Sequence, residues 1–191
     1  MEQYKGKIYS GHIFKGIDKI TGKDDLRPVL KQSIIENGNI VATDAHHLIK
    51  IPLGFFGLEI AEIEKLEGKC ISAEVLQKLG SLKTSTQWGV TDQGIVIFKA
   101  GTLKPALIYP LDSKEVEGRY PNYEAVIPSI PEEVFMFYFN PQLLLVIEKI
   151  FTSYNKNIKD LPYLETYGAT RPILFKSKSS DFLGLIMPKK V

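Results

Sequence analysis

The sequence contains one cysteine, Cys70, which excludes an internal disulfide and a cysteine-rich metal site and is typical of a reducing cytosol. It contains no apolar run long enough to span a membrane, and residues 1–11 lack the apolar core of a signal peptide. Of its 191 residues, 44% are hydrophobic and 24% are charged, as in globular proteins of one large or two small domains. We therefore expect a cytoplasmic protein with a substantial core.

The net charge is also small, at +2, and does not by itself indicate a nucleic-acid-binding protein. The distribution is uneven, because residues 150–191 carry seven lysines and arginines against three acidic residues, whereas residues 59–67 are acidic. A positive surface that faces phosphates and an ordinary solvated face both fit this pattern.

The chain is organised around residues 26–51, which we predict to contain a β-hairpin. Two apolar, β-branched runs at 28–35 and 40–43 are bridged by Glu-Asn-Gly-Asn at 36–39, a sequence typical of a tight turn. The hairpin leads into a loop of small, acidic and imidazole side chains at 43–48. Loops held by a rigid sheet frequently carry binding sites.

Periodicity and capping residues predict the other elements. Ser72 is a suitable N-cap for one helix, and Asn140 followed by Pro141 begins another. The remaining predictions are an edge strand within 4–14, a turn-rich connector at 16–24, a helix or irregular segment at 58–66, strands at 69–71, 105–111, 134–139, 172–176 and 182–187, and a second hairpin at 87–99. Prolines at 121–131 mark a connector, so we place a domain boundary near residue 128.

Asp44, His46 and His47 form the only cluster in the sequence that suggests catalysis or metal binding. Adjacent histidines in a strand point to opposite faces, so these two do not readily share a metal ion. Cys70 lies in an apolar strand, which favours a buried structural thiol over a nucleophile. A small hydrolase that uses Asp44 and His46 stays open as an alternative, but we expect a non-enzymatic protein with no cofactor.

Five short motifs follow one another along the chain. They are Arg-Pro-Val-Leu at 27–30, Val-Ala-Thr-Asp-Ala-His-His-Leu at 41–48, Gly-Arg-Tyr-Pro-Asn-Tyr-Glu-Ala-Val-Ile-Pro at 118–128, Phe-Asn-Pro at 139–141 and Leu-Ile-Met-Pro at 185–188. In this order they resemble the bacterial sliding clamp, the β subunit of DNA polymerase III. The resemblance implies a region like the clamp's middle domain at 1–128 and a region like part of its last domain at 129–191.

The resemblance implies an α+β DNA-clamp fold of about three half-units, with sheets forming an outer layer and short helices on the inner face. Clamps of this family are rings around duplex DNA, which implies non-sequence-specific phosphate contacts and a homo-oligomer, because one chain supplies too little of a ring. Lys78, Lys149 and Lys156 are the candidates for the DNA-facing surface. Ordinary exposed lysines are the alternative.

The family also has an apolar pocket that captures short linear peptides of polymerases and other replication proteins. Matched motif by motif, its walls in this chain are Leu30, Thr43, Ala45, His46, His47, Leu48, Pro121, Ala125, Val126, Pro172, Leu185, Met187 and Pro188. For the apolar members, ordinary core packing is the alternative. The chain departs from the family where Ala45-His46-His47-Leu48 replaces the usual Gly-His-Arg-Leu, and where Lys189-Lys190 replaces an apolar residue followed by arginine.

The function implied by the resemblance is that of a processivity factor and peptide-docking hub in DNA replication or repair. Its partners would be double-stranded DNA and the clamp-binding peptides of replication proteins. A second possibility within the same fold is a clamp mimic or adaptor, of phage or mobile-element origin, that binds such peptides without forming a ring.

Overall fold

The computed structural model describes residues 4–22, 26–113, 119–127, 139–154, 162–168 and 170–188. Its strands are β1 (Tyr9–Ser10), β2 (Gln32–Glu36), β3 (Asn39–Thr43), β4 (His47–Pro52), β5 (Lys69–Ser72), β6 (Gln87–Thr91), β7 (Gly94–Phe98), β8 (Pro105–Pro110), β9 (Asp112–Ser113), β10 (Tyr163–Thr166), β11 (Ile173–Lys176) and β12 (Leu183–Ile186). Its α-helices are α1 (Ile60–Leu66), α2 (Ala73–Gly80) and α3 (Pro141–Tyr154), and 3₁₀ helices lie at Ile17–Lys19, Pro28–Lys31, Leu53–Phe56 and Tyr123–Val126. Within these described ranges, no helix is long and apolar enough to cross a membrane.

The strands form two antiparallel sheets. The large sheet has the order β10-β11-β12-β4-β3-β2-β5-β9, and the small sheet has the order β1-β6-β7-β8. In the middle of the large sheet β12 pairs with β4, which places Leu185 opposite Leu48. With separate sheets and helices rather than alternating parallel units, the fold class is α+β, as the sequence predicts.

The predicted central hairpin is confirmed, with a correction at its start. Asn37 and Gly38 have φ of 52° and 70°, the left-handed conformation that a two-residue type I′ turn requires. Strand pairing begins only at Gln32, opposite Ser72, whereas Pro28–Lys31 is a 3₁₀ helix. The strand prediction for residues 28–31 was wrong because proline has no N–H to donate and its fixed φ suits the first turn of a helix.

The predicted helix N-caps are also confirmed. Ser72 Oγ accepts a hydrogen bond from the amide three residues later at 3.3 Å. Asn140 Oδ1 accepts one from the amide two residues later at 3.0 Å. The ambiguous segment at 58–66 contains α1, which begins with a reciprocal capping box between Glu59 and Glu62.

The elements group into three half-units, two of which exchange their first strands. β1 precedes β2–β4 in sequence but pairs with β6 of the second unit. β5 precedes α2 and β6–β8 but pairs with β2 of the first unit. The third unit, α3 with β10–β12, extends the large sheet at β4. This arrangement matches the predicted number of half-units.

One hydrophobic core joins all three units. Ile49 of β4 packs in the same buried cluster as Leu76 of α2 and Ile147 of α3. The neighbouring residue Leu48 belongs to a second cluster, together with Leu185. Because successive side chains of a strand point to opposite faces, the large sheet has one face covered by helices and an opposite face that carries the smaller cluster.

Gly184 of β12 lets α3 pack closely against the large sheet. A Cβ at this position would lie 2.5 Å from Cγ2 of Ile147. We expect Gly184→Ala to lower the free energy of unfolding by about 1 to 3 kcal/mol, because overpacking displaces the helix. Urea unfolding measures the change, with Gly54→Ala as the control, since a Cβ there meets no atom within 4 Å. If the two variants unfolded at the same urea concentration, the close packing of Gly184 against Ile147 would be contradicted.

Some sequence predictions concern residues outside the described ranges. These are the strand at 134–138, Lys156, the Lys189-Lys190 departure and the boundary position at residue 128. The division into two domains therefore stays a prediction. Strands from both sides of residue 128 pair within the large sheet.

Candidate functional site

The loop between β3 and β4 is fixed by its own polar side chains. Asp44 Oδ1 accepts hydrogen bonds from the amides of His46 and His47 at 2.9 and 2.7 Å, and Asp44 Oδ2 lies 2.7 Å from His47 Nδ1. Thr43 Oγ1 donates to the His47 carbonyl at 2.6 Å and accepts from the Ala45 amide at 3.1 Å. Ala45 has a φ of 73°, a left-handed conformation that these bonds hold in place. The loop therefore forms a preorganised wall.

The charge of Asp44 contributes to holding this loop. Burial alone would raise the pKa of its carboxyl, but hydrogen bonds from the His47 side chain and from the amides of His47 and His46 outweigh burial and lower the pKa. A carboxylate with a lowered pKa stabilises the fold above its unfolded pKa, about 3.9, and this contribution is lost as the pH falls through the folded pKa.

We expect Asp44→Asn to lower the free energy of unfolding by about 1.5 to 3 kcal/mol at pH 7, the contribution of a hydrogen bond to a charged group. The difference from the parent should shrink as the pH falls from about 4, the pKa of the unfolded carboxyl, through the lowered pKa of the folded one, below which the parent carboxyl is itself protonated. Urea unfolding at neutral and acidic pH measures both values. Asp92→Asn, in an exposed turn, is the control. A difference that does not change with pH would argue against an ionic contribution.

Residues 119–127 form a second wall across the face of the large sheet opposite the helices. Tyr123 is buried in the smaller apolar cluster, and its hydroxyl donates to a Glu36 carboxylate oxygen at 3.1 Å. Lys50 of β4 forms an ion pair with Glu124 at 2.6 Å. These contacts fix the connector to β2 and β4.

The loop, the connector, the 3₁₀ helix Pro28–Lys31 and β12 surround an apolar cavity of about 560 Å³, called here the outer cavity. Leu30, Leu48 and Leu185 are buried at its base, whereas Val126 and Met187 are 43% and 39% exposed. Its full lining is Leu26, Arg27, Pro28, Val29, Leu30, Thr43, Ala45, His46, His47, Leu48, Pro121, Asn122, Tyr123, Val126, Leu185 and Met187. Exposed apolar side chains around a buried apolar base are typical of a site for an apolar partner.

The outer cavity brings together most of the side chains that the sequence analysis assigned to a peptide pocket. Those that line it are Leu30, Thr43, Ala45, His46, His47, Leu48, Pro121, Val126, Leu185 and Met187. Ala125, Pro172 and Pro188 do not line it. Tyr123 and Val126 lie three residues apart in a 3₁₀ helix and share a side of it, which leaves Ala125 exposed.

Two further residues lie away from the cavity for reasons of topology. Pro172 is buried at the start of β11, and β12 lies between that strand and the loop. Pro188 lies two residues beyond the end of β12 and is not among the lining residues. Sequence reasoning missed Leu26, Arg27, Pro28, Val29, Asn122 and Tyr123 as lining residues, although all but Leu26 lie within the motifs that carry the resemblance.

A more polar cavity of about 490 Å³ adjoins the outer cavity, and the two share Val29, Pro121, Asn122 and Tyr123. Its further lining includes Gln32 and Arg119. The two adjoining cavities, one apolar and one more polar, are together called here the channel. Such a channel suits an extended ligand that carries apolar anchors next to polar groups.

The histidines of the loop are not arranged as the hydrolase alternative requires. That alternative pairs Asp44 with His46, whereas the carboxylate contacts the ring of His47 and only the backbone of His46. Among the described residues, no group of three or more histidine, cysteine, aspartate or glutamate side chains is placed to hold a metal ion. Cys70 is buried in the smaller apolar cluster.

The predicted DNA-facing lysines differ in their surroundings. Lys78 is exposed on α2 but forms an ion pair with Glu74 at 2.5 Å, which lowers the pKa of the glutamate and raises that of the lysine. Lys149 is exposed on α3. Lys15, which the sequence analysis did not single out, is exposed in a segment that contacts both helices, through Gly80 of α2 and through Tyr154 of α3.

The exchanged strands, the helix-covered sheet and the third unit joined at β4 define the class of fold, which is that of the bacterial sliding clamp. The whole chain is similar to the DNA polymerase III beta chain of Streptococcus pneumoniae, with 15% identity, a TM-score of 0.51 and 66% of that chain covered. It is likewise similar over its whole length to the DnaN sliding clamp of Bartonella birtlesii bound to griselimycin, with 16% identity, a TM-score of 0.51 and 69% covered.

These similarities confirm the predicted fold. The chain spans about two thirds of the length of the clamps it matches. No protein-family model matches the sequence, and no curated protein sequence matches it.

Proposed function

We propose that this protein is a non-enzymatic, sliding-clamp-like processivity factor and peptide-docking hub in DNA replication or repair. The observation that carries the proposal is the outer cavity, where an apolar base of Leu30, Leu48 and Leu185 is assembled from three separate segments of the chain. The sliding-clamp fold supports it.

The partner that the channel fits best is a short, extended peptide. Two or three apolar side chains would fill the outer cavity, where Met187 can adapt to their shape because its side chain is unbranched and flexible. The more polar residues of the peptide would follow the adjoining cavity past Arg119. Binding energy would come from the few buried anchors, since polar contacts at the edge remain solvated.

DNA contact is the second part of the proposal. Lys149 and Lys15 lie on or against the helices and form no ion pair with another described residue, so both are available to phosphates. Such contacts carry no sequence information and permit sliding. Because the chain spans about two thirds of one clamp chain, a closed ring would need several copies, joined at edge strands such as β8 and β10, each of which ends a sheet in the described part of the chain.

Fluorescence anisotropy of a labelled Gln-Leu-x-Leu-Phe peptide tests the docking function, and we expect saturable binding. Mass in solution and binding to circular duplex DNA, lost when the DNA is linearised, test the ring. Peptide binding by a monomer that does not retain circular DNA would favour the clamp mimic instead. Absence of peptide binding at high micromolar protein would overturn the docking function.

A further inference from the structure

A third cavity, of about 580 Å³, lies at the C-terminal end of α3 and has largely aromatic walls. Its lining includes Tyr9, Phe55, Phe56, Trp88 and Tyr154. It shares no residue with the outer cavity. Neither the peptide docking nor the duplex contact proposed above uses this aromatic cavity.

The rings of the aromatic cavity are held in fixed positions. Tyr154 accepts a hydrogen bond from the Lys15 amide, and the Phe56 ring meets the Tyr154 ring edge-on, with centroids 4.4 Å apart. Trp88 stacks on Tyr9 at 4.5 Å. Phe55, Phe56 and Tyr154 remain half-buried, so part of each ring faces the cavity. Preorganised aromatic surfaces bind planar ligands at a low cost in conformational entropy.

Among the described residues, the exposed charges that adjoin the aromatic cavity without an ion-pair partner are lysines, whereas the carboxylates beside Tyr9 are engaged, because Glu62 accepts from the Tyr9 hydroxyl at 2.9 Å and Glu59 pairs with Lys7 at 2.8 Å. Lys15 is tied to the lining through Tyr154, Lys83 precedes the lining residue Thr84, and the Lys149 carbonyl accepts a hydrogen bond from Ser153 Oγ at 2.6 Å. All three lysines are exposed, and none forms an ion pair with another described residue. The lining itself contains no aspartate or glutamate. The three lysines therefore offer positive charge to an anionic ligand at the edge of the aromatic cavity.

We propose that the aromatic cavity binds an unpaired base of a single-stranded nucleic acid, with the adjacent phosphates lying along Lys15, Lys83 and Lys149. Aromatic rings combined with a positive groove are the arrangement by which proteins hold single strands without reading their sequence. A paired base is stacked within its duplex and cannot enter such a cavity without being extruded. The ligand is therefore a single strand, whereas the duplex contact above needs phosphates alone.

Trp88 is the only tryptophan of the chain and lies in the wall of the aromatic cavity, 2% exposed and stacked on Tyr9, so a base that enters the cavity changes the surroundings of its ring. We expect oligothymidylate of about 12 nucleotides, within the usual range of single-strand sites, to quench it saturably. An abasic strand of the same length and a matched duplex supply the phosphates without an accessible base and should not quench it. Equal quenching by the abasic strand or by the duplex would overturn the proposal.

Charge reversal tests the phosphate contacts without disturbing the packed rings. Lys15→Glu combined with Lys83→Glu should weaken oligothymidylate binding by roughly tenfold or more at low salt. Lys99→Glu combined with Lys104→Glu changes the same charge in an exposed loop outside the aromatic cavity and should have a much smaller effect. Equal losses in the two double variants would contradict the assigned site.

A third variant tests the stacking surface. Tyr154→Leu keeps apolar bulk but removes a ring, and should weaken the oligothymidylate while leaving the salt dependence of binding unchanged. Circular dichroism of this variant shows whether it remains folded. Labelled-peptide binding, measured on the same preparations, reports the outer cavity separately, so failure of either proposal is visible independently of the other.

Discussion

Replacing both Met187 and Val126 with aspartate should weaken the binding of a Gln-Leu-x-Leu-Phe peptide by at least roughly tenfold, which is about 1.4 kcal/mol. Both side chains line the outer cavity and are 39% and 43% exposed. An apolar anchor that docks against them would have to desolvate two carboxylates, which is unfavourable without a cationic partner. Fluorescence anisotropy measures the loss.

Because Met187 and Val126 are exposed, we expect the aspartate variant to remain folded. A substitution at the buried base of the cavity would instead destabilise the fold. Leu48 is only 3% exposed, so Leu48→Ala would itself cost about 2 to 5 kcal/mol of stability and confuse the binding result. Ile60→Asp combined with Leu103→Asp is the matched control, because these residues are 76% and 38% exposed and line no part of the outer cavity. Undiminished peptide binding by the Met187 and Val126 variant would rule out this cavity as the docking site.

Phe182→Ala should have the largest effect on stability, a loss of about 3 to 5 kcal/mol in the free energy of unfolding. The side chain is 1% exposed, and its ring centroid lies 5.2 Å from that of Phe151 on α3, 5.9 Å from Phe175 on β11 and 5.8 Å from Phe55. Its removal leaves a cavity where the third half-unit meets the 3₁₀ helix that follows β4. Urea unfolding followed by circular dichroism measures the loss.

Leu145→Ala is the control for this prediction, since Leu145 lies on α3 but is 44% exposed and should change stability by only about 0.5 kcal/mol. The shape of the curve tests the predicted boundary near residue 128. One cooperative transition would indicate that the regions on either side unfold as a unit, whereas two transitions would indicate separate domains. If the Phe182 variant were as stable as the Leu145 variant, the packing of Phe182 among the rings of Phe151, Phe175 and Phe55 would be contradicted.

Elements with strong local signals could be predicted from the sequence. Asn37-Gly38 defines a turn in which both residues need positive φ, and Ser72 and Asn140 supply the side-chain acceptors that begin helices. β10 was missed because Tyr163–Thr166 is short and only partly buried, and so carries little alternation. The exchange of β1 and β5 between units is a long-range pairing that local patterns do not encode.

The lining of the candidate site could also be predicted only in part from the sequence. The motifs identified the loop and β12 as neighbours because the resemblance supplied a topology that the local pattern lacks. They did not identify Tyr123 as a lining residue, because its place depends on the 3₁₀ geometry of Tyr123–Val126 and on the bond to Glu36. The aromatic cavity had no sequence signal, since its walls come from four separated segments.

The pairing of β12 with β4 also determines when the outer cavity can form. The base of the outer cavity needs Leu48 and Leu185 side by side, and the backbone of Met187 bonds the carbonyl of His46 at 3.4 Å. During synthesis these contacts cannot form until residues 183–187 have emerged from the ribosome, long after the first hairpin. A nascent chain that lacks these residues therefore has no complete outer cavity, whatever the earlier hairpin has already formed.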